Sequence, residues 1–140
     1  MRKGEIKYLL QNKKYIIAEI KDLQLQIDDL NGSESVSISG VSYEERIKSS
    51  SISNATEKQA IENLLKVQTL ELEKKSLETS IKRIDNGMDA LEEREREILI
   101  MKYVEHNKFT YTSRKMNTNE ESCKTIARRA IDKMSLIIKN

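Results

Sequence analysis

Two heptad repeats constrain this chain more than any other feature. Between residues 5 and 30, Ile6, Leu9, Ile16, Ile20, Leu23, Ile27 and Leu30 fall on the a and d positions of four successive heptads, and Lys13 fills the remaining a position. Apolar residues at that period form a seam along one side of an α-helix, and the seam is buried by packing on another helix. Leu10 and Ile17 lie beside the seam and widen it, as packing on more than one neighbour requires. The pattern resumes at Val67, Leu70, Leu77, Ile81, Ile84, Met88 and Leu91, again with one lysine, Lys74, at an a position. A lysine in such a seam trades stability for a chosen register or partner. Gly87 interrupts the second repeat without changing its phase, which predicts a kink rather than a boundary.

Composition narrows the fold in the same direction. Of 140 residues, 34% are charged and 37% hydrophobic, with one Phe, four Gly and neither Pro nor Trp, which argues against a broad aromatic core or a Gly/Pro-punctuated β-sandwich. Apolar runs such as Leu136-Ile137-Ile138 fall far short of the ~20 residues that span a bilayer. No apolar stretch follows the basic Met1-Arg2-Lys3 start to make a signal peptide, so a cytoplasmic protein without a membrane partner is expected. Cys123 is the only cysteine and His106 the only histidine, which excludes an internal disulfide and a Cys/His zinc site. There is no Gly-rich phosphate loop, nucleophile elbow, metal quartet or catalytic triad, so neither an enzyme nor a bound cofactor or metal is expected.

The chain divides into four parts. Residues 1–31 form an N-terminal coiled-coil helix, stopped by Asn31-Gly32, which tolerate the left-handed conformation that ends helices. Residues 32–54 form a flexible Ser-rich linker, in which Val41, Tyr43 and Ile47 around Glu44-Glu45 allow a short docking turn. Residues 55–90 form a second long helix, with Asn54 or Thr56 as N-cap and Glu57 in the first turn. The two seams either fold back on each other or pair with a second chain. A two-helix pair of this size buries little surface alone, which favours homo-oligomerisation or packing on the C-terminal part.

Residues 91–140 carry a different signal. The segment LEEREREILIMKYV is a short amphipathic helix with Leu91, Ile98, Leu99 and Met101 to Val104 on its apolar side, ended by the polar turn Glu105 to Lys108. Its alternating Glu92, Glu93, Arg94, Glu95, Arg96 and Glu97 predict a salt-bridged helix face rather than paired catalytic carboxylates. Phe109 to Met116 forms a second helix, Asn117-Thr118-Asn119 a tight turn, and Asn119 caps a third helix reaching about Ile138. Short helix, tight turn and longer helix are the helix-turn-helix arrangement. Ser113 permits close approach of the helices, and Met116, Cys123, Ile126 or Ala127, Ala130, Ile131 and Met134 supply the apolar contacts. Cys123 is thus a small buried hydrophobe rather than a reactive thiol.

The outer face of the third helix is left to Glu120, Glu121, Ser122, Lys124, Thr125, Arg128 and Arg129. Although the whole chain has 25 basic and 23 acidic residues, the stretch from Asn107 to Asn140 holds eight basic residues against three acidic ones. Such a local excess neutralises the phosphates of duplex DNA. Ser122, Lys124, Thr125 and Arg128 are the candidates for base edges or nearby phosphates, with Arg114, Lys115, Arg129 and Lys133 fixing orientation on the backbone. Glu120 and Glu121 favour the helix N-terminus, and a carboxylate there can also accept from cytosine N4.

The segment Leu91 to Leu99 with Tyr103, followed by NTNEESCKTIARRAIDKM, resembles the C-terminal region four of bacterial sigma factors. Asn119 stands at the family's cap, Cys123 at its Val-like core position, Arg129-Ala130 at its Arg-Ala pair and Met134 at its final Leu. Thr112 replaces the usual aliphatic residue and Asn117 the usual turn glycine, a place where asparagine also tolerates the left-handed conformation. The whole layout, including VSYEERIKSSSISNATEKQAIE, resembles small phage transcriptional regulators of the RinA/ArpU type, a resemblance that implies control of late phage or prophage genes in a bacterial host. The expected fold is therefore all-α: a long N-terminal helical hairpin or coiled coil, plus a C-terminal helix-turn-helix domain of sigma region four type that binds double-stranded DNA. Two alternatives stand beside it. One is an adaptor for RNA polymerase or another factor, docking through Arg94 and Arg96 with little DNA affinity of its own. The other is a DNA-packaging subunit like a small terminase.

Overall fold

The computed structural model describes the backbone of residues 1–39 and 53–140, and the side chains of residues 1–32 and 56–140. Among the described residues every regular element is helical and there is no strand. The order is α1 (Lys3–Ser39), α2 (Ser53–Asp89), α3 (Glu93–Leu99) running into a π-helical turn (Ile100–Val104), α4 (Phe109–Lys115) and α5 (Glu120–Ile137). No helix among the described residues is long and apolar enough to cross a membrane.

The chain forms two compact units, one of residues Glu19–Ser76 and one of Met1–Ala18 with Leu77–Asn140. In the first, Leu23, Ile27 and Val67 are buried, with Ile20, Leu30 and Leu70 half-buried. The heptad seam is therefore the inward side of both helix segments. The a-position Lys74 donates to Gln24 Oε1, which gives the polar residue of the seam a partner on the other helix. Leu25, Ile61, Leu64, Leu65 and Leu72 lie outside the seam and are exposed.

The second unit holds the main core. Ile6 and Leu10 of α1 pack with Ile84 and Met88 of α2, Leu91, Ile98 and Leu99 at α3, Cys123, Ala127, Ala130, Ile131 and Met134 of α5, and Ile138 just past its end. Leu10, beside the seam by period, is more deeply buried than the d-position Leu9, because α1 here meets more than one neighbour. Lys13 pairs with Asp85, so the second seam lysine also finds a polar partner. The end of α5 is tied to the start of α1 by Ser135 Oγ donating to Met1 O (2.9 Å) and by the Lys3–Asp132 ion pair (2.7 Å).

The structure moves two boundaries, the end of α1 and the start of α2. Asn31-Gly32 does not end α1, which continues to Ser39, and no glycine among the described residues has a positive φ. A glycine inside a helix costs only about 1 kcal/mol relative to alanine, which by itself does not terminate it. The linker expected over 32–54 accordingly gives up residues to both helices, and the docking turn at Val41, Tyr43 and Ile47 lies outside the described residues. Gly87 lies within α2 and serves close approach: a Cβ there would stand 3.0 Å from Ile138 Cδ1 and 3.3 Å from Met134 Cε. Gly87→Val should overpack this contact and cost about 1–3 kcal/mol, read as a lower midpoint in denaturant unfolding of the full chain; an unchanged midpoint would show that the approach is not tight.

Candidate nucleic-acid interface

The site is built from α3 upward. Its inner residues Ile98 and Leu99 are fully buried, which fixes the helix on the core. Glu95 is also turned inward, 6% exposed, and its carboxylate accepts from Glu92 N (3.2 Å) and from Lys133 Nζ on α5 (2.9 Å). Arg96 reaches back to the end of α2, donating from Nε to Met88 O (3.0 Å) and from Nη2 to Asp89 O (3.2 Å) and Leu91 O (3.0 Å). Carbonyls at a helix C-terminus have no intrahelical donor, so this arginine acts as a cap. The salt-bridged face expected over residues 92–97 is thus absent among the described residues: its charges are divided between an interhelical ion pair, a cap and solvent. Arg94 stays exposed, with no carboxylate partner among the described residues.

After Leu99 the helix widens. Glu105 N donates to Ile100 O (2.8 Å), the π-type spacing. The extra residue in the turn lets Ile100, Tyr103 and Val104 all pack partly on the core. Burial pushes the Tyr103 phenol up. Lys102 Nζ lies 4.6 Å from the centre of the Phe109 ring, and His106 is exposed with a left-handed φ of 58°.

In α4, Thr112 and Ser113 face inward and satisfy their hydroxyls on the helix itself, Thr112 Oγ1 donating to Lys108 O (3.1 Å) and Ser113 Oγ to Thr110 O (2.9 Å). Thr112 therefore fills an aliphatic-type position without burying an unsatisfied donor. The helix ends in a Schellman motif: Thr118 N donates to Ser113 O (2.9 Å), Asn117 N to Arg114 O (3.3 Å), and Asn117 takes a φ of 54°. Asn119 then caps α5, its side chain accepting from Ser122 N (2.7 Å).

Cys123, Ala127, Ala130, Ile131 and Met134 form the buried side of α5. Cys123 has no exposed surface, and burial pushes its thiol up even though the Arg94 charge pulls the other way, so it is not poised as a nucleophile. On the other side Lys124, Arg128 and Arg129 are exposed, with Ser122 and Thr125 half-buried between them. Arg128, Arg129 and Arg114 have no ion pair among the described residues; Lys124 lies a loose 3.9 Å from Glu121. Glu120 accepts from Thr110 Oγ1 (3.1 Å), which ties α5 to α4, and Lys115 sits 5.6 Å from the Tyr111 ring centre.

The structure thus brings Glu121, Ser122, Lys124, Thr125, Arg128 and Arg129 together on one face. Lys133 pairs with Glu95 (2.9 Å) while its side chain stays about half exposed. The structure adds two residues that helical periodicity could not find: Arg94 of α3 and Thr118 of the turn line a concavity with Glu121, Ser122, Thr125, Ile126 and Arg129. A helical period relates residues within one helix, and Arg94 belongs to another. No group of three or more His, Cys, Asp or Glu among the described residues is arranged to hold a metal ion. Comparison of the chain with protein-family models, curated proteins and solved structures finds no match.

The turn that orients α5 depends on its left-handed residue. Asn117→Val should destabilise the chain by about 1–2 kcal/mol, whereas Asn117→Gly should retain or raise stability; thermal unfolding that ranks Val above Gly would contradict this geometry.

Proposed function

We propose that this chain is a sequence-specific DNA-binding transcriptional regulator of phage or prophage late genes, acting in the bacterial cytoplasm. In this reading α4, the Asn117–Asn119 turn and α5 are a helix-turn-helix of sigma region four type, and α5 enters the major groove by its N-terminal end. The observation that carries it is the division of α5: one side is wholly committed to the core, while the arginines of the other have no ion pair among the described residues. Unpaired guanidinium groups on a rigid helix can approach a duplex without first breaking internal bonds.

Ser122, Lys124, Thr125 and Arg128 are then the groups nearest base edges, with Glu121 available as an acceptor for cytosine N4. Arg114, Lys115 and Arg129 fix orientation on phosphates. Lys133 is left out of the contact set because Glu95 engages it. The adaptor alternative is weakened, since Arg96, half of its docking face, is bound to three carbonyls. The N-terminal seams serve as a helical hairpin for self-association, for which the exposed Ile61, Leu64, Leu65 and Leu72 supply apolar surface. A two-fold dimer would present two copies of α5 to two half-sites, whereas a small-terminase role calls for a ring.

Selection of bound fragments from a randomised duplex pool tests this reading. Wild-type protein should enrich a defined motif with salt-sensitive affinity, and Arg128→Ala should cost about 1–3 kcal/mol while relaxing one base position. Equal loss on all sequences would make Arg128 a phosphate contact, and failure of the wild type to bind would reject the reading.

A further inference from the structure

The concavity between α3 and the start of α5 has a chemistry of its own. Arg94 and Arg129 contribute two guanidinium groups, and Thr118, Ser122 and Thr125 three hydroxyls. Neither arginine has an ion pair and none of the three hydroxyls a hydrogen-bond partner among the described residues. One carboxylate, Glu121, stands on the rim; it is itself exposed and nearest Lys124, at 3.9 Å. Two guanidinium groups against one carboxylate leave the notch cationic, and the three hydroxyls add to its hydrogen-bonding groups.

We infer that this notch binds a backbone phosphate of duplex DNA, with Arg94 as a contact supplied by α3 alongside Arg129 of α5. The inference rests on the reading of α5 as a DNA-binding helix and extends it to a residue outside the helix-turn-helix. A phosphate offers several acceptor oxygens to forked guanidinium donors and hydroxyls at once. The notch shares Glu121, Ser122, Thr125 and Arg129 with the outer face of α5 that also holds Lys124 and Arg128. Arg94 and Arg96 are thereby different in kind: two residues apart, one is fixed as a helix cap and the other is free for a ligand.

The test is binding of the full-length chain to a mixed-sequence duplex across a salt series, followed by fluorescence anisotropy. Arg94→Ala and Arg94→Gln should each weaken binding by the same factor on every sequence and reduce the log–log salt slope by about 0.9, the contribution of one phosphate contact. Arg94→Lys should restore the slope, because a point charge still neutralises a phosphate. Both neutral variants should unfold at the wild-type midpoint, since the side chain is exposed; should Ala perturb the fold, Gln carries the test. Unchanged affinity and slope in the neutral variants, with Arg128→Ala still impaired, would overturn the notch and leave the helix-turn-helix reading intact. No binding by the wild type would overturn both.

Discussion

The structure depends on the close packing of the inner side of α5. Cys123, Ala127 and Ala130 are small, so α5 can lie deep in the core beside Ile98 and Leu99, and Gly87 removes the one Cβ that would keep α2 from Ile138 and Met134. The other features of the site follow from that depth. A helix held along one entire side has fixed orientation about its own axis, and its polar residues then occupy fixed positions. The Glu95–Lys133 pair and the Thr110–Glu120 hydrogen bond add polar ties from α3 and α4. A buried carboxylate paired in this way, as Glu95 is, is better read as specifying one arrangement than as a source of net stability.

The same logic accounts for the division of labour among the charges. Arginines and lysines are numerous, and the structure uses several of them internally. Lys13 and Lys74 find partners across their seams, Lys133 is held by Glu95, and Arg96 caps α2. What remains without internal ion pairs among the described residues includes Arg94, Arg114, Arg128 and Arg129. A count of basic residues in the tail cannot make that distinction, because it weighs Lys133 and Arg128 equally.

What was legible in the sequence was what local periodicity and local chemistry decide. The heptads gave the inward residues of α1 and α2. The Asn119 cap, the left-handed Asn117 and the burial of Cys123 and Met134 all follow from patterns spanning a few residues. The misreadings concern partners distant in sequence. Glu95 and Arg96 look like members of an alternating charged face until α5 and the end of α2 are brought beside them. Arg94 joins the candidate site only through the packing of α3 on α5, which no spacing encodes. At Asn31-Gly32 the difference is of another kind: the preference for a helix stop is weak, and α1 continues through it.

The central claim is that the outer side of α5 is the nucleic-acid surface of the chain. Backbone amide shifts of the isotopically labelled full-length protein, followed as a duplex is added, measure this directly. The account predicts that perturbations concentrate on Thr118, Glu121, Ser122, Lys124, Thr125, Arg128 and Arg129 and on α3 around Arg94, while Ala130, Ile131 and Met134 of α5 and the seam of α1 are little changed. Perturbations confined to α1 and α2, or none at all at low salt, would contradict it.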